Sequence, residues 1–192
     1  SEEYAAERFS QIESERMVYL FRRNIQELDM VVPELWQEMK EAAFEPVGFE
    51  VGFGTSDGLA PIAIPNKSMN AILRGFIDRV DLWNSPGSSY YRVVDYKTGK
   101  VLDDDQKIND GNAEMIADKI FSKDEKERPK IALQFYMYDL LLKDRPECAG
   151  KQMFNCVYST SSIFNEAPQT YPKNECFFNA VSRRLEALLG EM

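Results

Sequence analysis

Histidine is absent from all 192 residues. Its absence excludes Ser-His-Asp hydrolysis, His-ligated zinc and a histidine general base. Cysteine is scarce: Cys148, Cys156 and Cys176 form an odd set without disulfide-framework spacing, which predicts a reducing, cytoplasmic location. No apolar run approaches the roughly 18 residues of a membrane-spanning helix, and no signal segment opens the sequence, so no membrane partner is expected. Positive charge is also in short supply. The 32 acidic residues outnumber 23 basic ones for a net charge of −9, which argues against a broad nucleic-acid-binding surface.

The charge is uneven. Residues 1–50 carry a net −7, whereas residues 66–100 place Lys67, Arg74, Arg79, Arg92, Lys97 and Lys100 against Asp78, Asp81 and Asp95, a net +3. A local basic strip in an acidic protein suits a focused phosphate site better than a long DNA track. Apolar residues make up 44% and charged residues 29%, ordinary globular usage, and the length suits one domain over residues 1–192 with a sizeable core.

Hydrophobic spacing predicts a helix over residues 4–29, with Phe9, Ile12, Val18, Phe21, Ile25 and Leu28 on one stripe. Pro33 can open a second helix carrying Leu35, Trp36 and Met39. The period then changes to two, and Val47, Phe49, Val51 and Phe53 predict a half-buried strand. A short edge strand fits residues 62–64 between Pro61 and Pro65. Strands over 71–83 and 90–97 flank a Pro86-Gly87 turn signal, a β-hairpin. The polar stretch 103–127 reads as a solvated insertion or mobile flap, with room for a short helix over 113–121. Ile131, Phe135, Tyr138 and Leu142 form a firm helical stripe after Pro129. A strand over 152–160 and a closing helix over 175–189, built on Phe178, Val181, Leu185 and Leu188, complete an α/β (α+β) domain with a mixed sheet.

The hairpin carries the chemistry. Period two puts Asp78 on one face with Ile72, Phe76, Val80 and Leu82, and a carboxylate in an apolar row is costly unless paired. On the second strand Val93, Asp95 and Lys97 share a face. A turn centred on Pro86 and Gly87 sets Asp78 opposite Asp95, and a one-residue slip would undo this. Two facing carboxylates about 4 Å apart repel by roughly 4 kcal/mol at an effective dielectric of 20, so they share a proton or hold a cation. Oxygen ligands without His or Cys favour Mg²⁺ or Mn²⁺. With the Lys97 ammonium alongside, such a site polarises a phosphodiester and stabilises charge developing on its oxygens. An isolated Asp-x-Lys, by contrast, is usually a surface ion pair worth roughly 0–1 kcal/mol.

Three segments in order change that reading. GFIDRVD at 75–81, VVDYKTGK at 93–100 and QFYMY at 134–138 resemble the signature of the PD-(D/E)XK nuclease superfamily, more narrowly its RecB and AddB branch. FEVGFG at 49–54 is similar to the strand that precedes the first motif in the AddB-like group, and the resemblance covers roughly residues 45–160. It implies a restriction-endonuclease-like core in which a mixed sheet is flanked by helices. It further implies that Asp78, Asp95 and the main-chain carbonyl of Tyr96 hold the metal, and that Lys97 is the catalytic lysine. Gln134 and Tyr138 match the Gln-x-x-x-Tyr pair that lies beside the active site; Tyr138 also completes the apolar stripe, so packing has its own claim on it. Arg79 and Asp81, on the strand's other face, read as a structural ion pair.

Two departures accompany the resemblance. The branch usually carries a His or Glu on a helix ahead of these motifs, and here there is no His. Ser1-Glu2-Glu3 leads straight into a helix, which predicts a domain excised from a longer protein. Some AddB-like members hold an iron–sulfur cluster, but the cysteine spacing here does not match, so none is expected. The function implied is a divalent-metal-dependent DNA exonuclease of a helicase–nuclease in double-strand-break repair, with DNA and a helicase/nuclease subunit as partners. The alternatives are a catalytically inactive nuclease-fold scaffold for DNA-end binding or protein assembly, and a stand-alone endonuclease.

Overall fold

The computed structural model describes residues 15–41, 44–55, 58–65, 70–99, 101–159 and 169–191. The chain divides into two compact units, residues 1–42 and 43–192.

Among the described residues of the first unit, α1 (Glu15–Glu41) carries Val18, Phe21, Ile25 and Leu28; Phe9 and Ile12 of the expected stripe lie outside the described residues. The expected second helix does not start at Pro33, because α1 runs through that residue. An interior proline loses one helical hydrogen bond and costs about 3 kcal/mol. Glu34, Leu35, Gln37, Met39 and Lys40, strong helix formers, carry the helix past it.

The second unit is built on a five-stranded sheet, in the order β1 (Glu45–Phe53), β4 (Gly75–Ser85), β5 (Ser88–Lys97), β6 (Gln152–Ser159) and β7 (Thr170–Pro172). Its neighbours are antiparallel except β5 and β6, which run parallel and so need the long connection between them. That connection holds a short 3₁₀ turn at Asp103–Asp105, α2 (Ala113–Phe121) and α3 (Lys130–Leu142); α4 (Glu175–Gly190) closes the chain. Ile116, Ile131, Phe135, Leu142, Phe177 and Val181 from these helices meet Tyr91, Val93, Met153 and Val157 of the sheet in one buried core. A mixed sheet flanked by helices is the expected restriction-endonuclease-like architecture.

The β4–β5 hairpin has the register expected from its turn. Ser85 pairs with Ser88, Val80 with Val93 and Arg79 with Val94 around Pro86 and Gly87. Gly87 has a φ of 84°, the positive value that a type II turn with proline at its second position requires at its third.

Several expectations are corrected. The single strand over 71–83 is two strands separated at Arg74. The first, β3 (Asn70–Leu73), pairs with β2 (Ile62–Pro65) in a separate two-stranded sheet, and β4 pairs with β1. Ile72 and Phe76 consequently stand exposed instead of sharing a buried row with Val80. In β1 only Val51 and Phe53 pack on the core; Val47 and Phe49 are exposed. The register shifts between Pro46 and Gly48, and Glu50 takes a φ of 48°, so the period-two pattern does not hold along the whole strand. Residues 103–127 are not a solvated flap. Ala113, Ile116 and Ala117 are fully buried, and Glu114 and Asp118 pair with Arg184 of α4. Leu188 of the closing helix is exposed.

Candidate active site

The β5 strand ends in Asp95, Tyr96 and Lys97, with side chains alternating between the sheet's two faces. Asp95 is 1% exposed, and its carboxylate is the hub of a polar cluster between the sheet and α3. Lys97 Nζ lies 2.5 Å from Asp95 Oδ2 and donates to Gln134 Oε1 at 3.1 Å. Gln134 Nε2 donates to Asp95 Oδ1 at 3.0 Å, and the Tyr138 hydroxyl donates to the same oxygen at 3.4 Å. Gln134 and Tyr138, four residues apart on α3, also hydrogen-bond to each other. One amide thus fixes the carboxylate and the ammonium at once.

Asp78 joins from the facing strand. Its Oδ2 accepts the main-chain N–H of Tyr96 at 2.8 Å, just beyond the Arg79–Val94 pair. Burial pushes the Asp95 carboxyl above its ordinary range, Lys97 and Tyr138 pull it back, and the nearby Asp78 adds to the rise. Burial and the Asp95 charge likewise raise the Tyr138 phenol, which stays a neutral donor.

The cluster fits a hard divalent cation. Asp95 Oδ2 is buried, and among the described residues the Lys97 ammonium, 2.5 Å away, is the group that meets it. A buried carboxylate oxygen with one mobile cationic neighbour retains lone pairs for a hard cation. Asp78 and the Tyr96 carbonyl lie on the adjoining stretch of the hairpin. Among the described residues no group of three acidic, thiol or imidazole side chains forms, so the protein oxygens in reach are two carboxylates and main chain.

The structure therefore brings together Asp78, Asp95, Tyr96, Lys97, Gln134 and Tyr138. Tyr138 is 5% exposed and packs edge-on against Phe135, so it serves the core as well as the cluster. On the reverse face Arg79 and Asp81 form the expected ion pair, fully buried, at 2.6 Å from Nε to Oδ1. Arg92 joins them, its Nε 2.8 Å from Asp81 Oδ2. The sequence reasoning missed Arg92, although the hairpin register that pairs Asp81 with Arg92 contained it. The basic strip is corrected accordingly: two of its six cations are interior, and Lys67 and Lys100 lie outside the described residues. Asp105 was also missed. Its Oδ1 accepts the N–H groups of Ile131 and Ala132 at 2.9 and 3.2 Å, capping α3 from a distance and so holding Gln134 and Tyr138 in place. Cys148 and Cys156 are buried and Cys176 is exposed, and none of the three is in a disulfide.

Comparison with known proteins agrees with the fold. Residues 2–191 match the PD-(D/E)XK nuclease superfamily. An ATP-dependent helicase/deoxyribonuclease B-type subunit from Clostridium acetobutylicum is 31% identical over 150 residues, covering 73% of this chain and 13% of that protein. The protein of the same name from Caldanaerobacter subterraneus subsp. tengcongensis is 40% identical over 92 residues, 47% of this chain and 8% of that protein. That from Acetivibrio thermocellus is 44% identical over 64 residues, 33% and 6% of the two chains. The chain thus spans 13% or less of the length of these relatives.

Proposed function

Because the chain belongs to the PD-(D/E)XK nuclease superfamily, we propose that it is the divalent-metal-dependent deoxyribonuclease domain of a longer helicase–nuclease. In this reading it acts as an exonuclease on DNA ends during double-strand-break repair, alongside a helicase/nuclease partner subunit. The observation that carries the reading is the buried Asp95 carboxylate, held by Gln134 and Tyr138 on one oxygen and met by the Lys97 ammonium on the other.

Asp78, Asp95 and the Tyr96 carbonyl would hold Mg²⁺ or Mn²⁺. A bound ion would supply Lewis acidity to a phosphate oxygen and acidify a water. Lys97 places a full positive charge beside that position, fixed by Asp95 and Gln134, where it stabilises negative charge growing on the phosphate. Gln134 keeps the ammonium and the carboxylate in register, and Tyr138 adds a neutral donor that steadies Asp95 without adding charge. The net charge of −9 suits a domain that receives its strand from an attached motor.

The test is cleavage of linear DNA with Mg²⁺, with EDTA, and by Lys97→Ala. Cleavage that needs the metal and is abolished in the variant supports the reading; undiminished cleavage by Lys97→Ala contradicts it. DNA binding without cleavage, by this chain and by the longer parent alike, would instead identify a nuclease-fold scaffold.

A further inference from the structure

A cavity of about 460 Å³ opens between the start of β4 and α3, within the range of about 300–1,000 Å³ usual for small-ligand sites. Gln134 and Tyr138 form part of its wall, so it is continuous with the Asp95 cluster. Its charged lining residues are Arg74 and Lys130; among the described residues no carboxylate lines it, in a chain of net charge −9. Phe76 also lines it, 53% exposed and two residues before Asp78 on the same strand face, about 6.6 Å away along the strand.

The FEVGFG segment accounts for how these side chains are seated. Gly52 pairs with Phe76, and a Cβ on Gly52 would lie 3.1 Å from the phenyl ring. A Cβ on Gly54 would meet Arg74 Cγ at 2.7 Å. The absence of side chains at these two glycines leaves room for the ring and the arginine stem where they are seated. Phe76 is thereby backed on one side and left open on the other, an arrangement with no use in the core.

We propose that this cavity takes the nucleotide adjoining the scissile phosphate of a single-stranded DNA, its base stacked on Phe76 and its phosphate between Arg74 and Lys130. The assignment rests on the nuclease reading and deepens it by naming the side chains that seat a nucleotide beside the Asp95 cluster. A positive rim with an aromatic platform is how sequence-independent single-strand sites are built, because every base offers a π-face.

The test is fluorescence anisotropy with labelled dT12 in EDTA, where no cleavage occurs, with a 12-base-pair duplex as comparison. Phe76→Ala is expected to weaken dT12 binding about 5- to 100-fold, and Phe76→Trp to preserve it. Phe76→Leu, which keeps apolar volume without a ring, should bind as weakly as Phe76→Ala and guards against misfolding as the cause. Arg74→Ala should lower the slope of log affinity against log salt by about 0.7. An oligonucleotide abasic throughout should bind wild type and Phe76→Ala alike. The proposal is overturned if wild type does not bind dT12, if Phe76→Ala and Phe76→Leu bind it as wild type does, or if the duplex binds equally well. Metal-dependent cleavage lost in Lys97→Ala would survive such a failure, so the groove and the nuclease reading fall separately.

Discussion

The main-chain N–H of Tyr96 donates to Asp78 Oδ2 at 2.8 Å, so a carboxylate of one hairpin strand holds the backbone of the other beyond the Arg79–Val94 pair. This contact sets the direction of the peptide next to the proposed metal position. Asp78→Asn keeps an acceptor there and loses the charge, whereas Asp78→Ala loses both. Both variants should lose Mn²⁺ binding, and only Asp78→Ala should lose about 0.5–1.5 kcal/mol of stability in urea unfolding. Equal stability losses in the two would show that the hydrogen bond has no separate role.

Gln134 touches both Asp95 and Lys97, and its removal frees each of them without deleting either charge. Gln134→Ala is expected to lower kcat for DNA cleavage by about 10- to 100-fold with KM little changed. A rise in KM at constant kcat would assign the glutamine to DNA binding instead.

Asp81 bridges two buried guanidinium groups, Arg79 and Arg92. Its removal leaves both cations in the interior without it. Asp81→Ala should destabilise the fold by about 3–5 kcal/mol, read as a lower urea midpoint. A change below about 1 kcal/mol would mean that the triad's charge is neutralised by other groups.

Asp105 accepts two N–H groups at the start of α3, and burial raises its carboxyl above the ordinary value of 3.8. A raised acid binds its proton more tightly when folded, so its ionisation costs stability as pH climbs from about 3.8 through the folded value. Asp105→Asn keeps an acceptor and removes that ionisation. Its stability relative to wild type should therefore improve over this window and level off above it. Asp105→Ala, with both N–H groups unserved, should lose about 1–3 kcal/mol below this window, a deficit that shrinks across it as the wild-type carboxyl ionises. A difference between Asp105→Asn and wild type that does not vary with pH would contradict the assignment.

The hairpin was legible because a Pro-Gly turn fixes its own register, and that register set Asp81 across from Arg92; the paired residues end at Arg79 and Val94, and Asp78 reaches the Tyr96 N–H beyond them. The α3 stripe was legible because four apolar residues repeat at helical spacing. What sequence could not give was set by distant contacts. Asp105 reaches 26 residues forward to α3, and nothing local marks it. The 103–127 segment looked solvated because its charges dominate, yet Ala113, Ile116 and Ala117 supply a narrow apolar stripe that α4 helps to bury. The three-residue β7 is too short for period two to show. The break at Arg74 came from strand pairing, since the apolar pattern runs through it unchanged.

The most direct test of the metal site is a calorimetric titration of Mn²⁺ into this chain and into its Asp95→Asn variant. The account predicts saturable binding to the wild-type protein that the variant loses. Binding of equal strength in both, or none in the wild type, would contradict it.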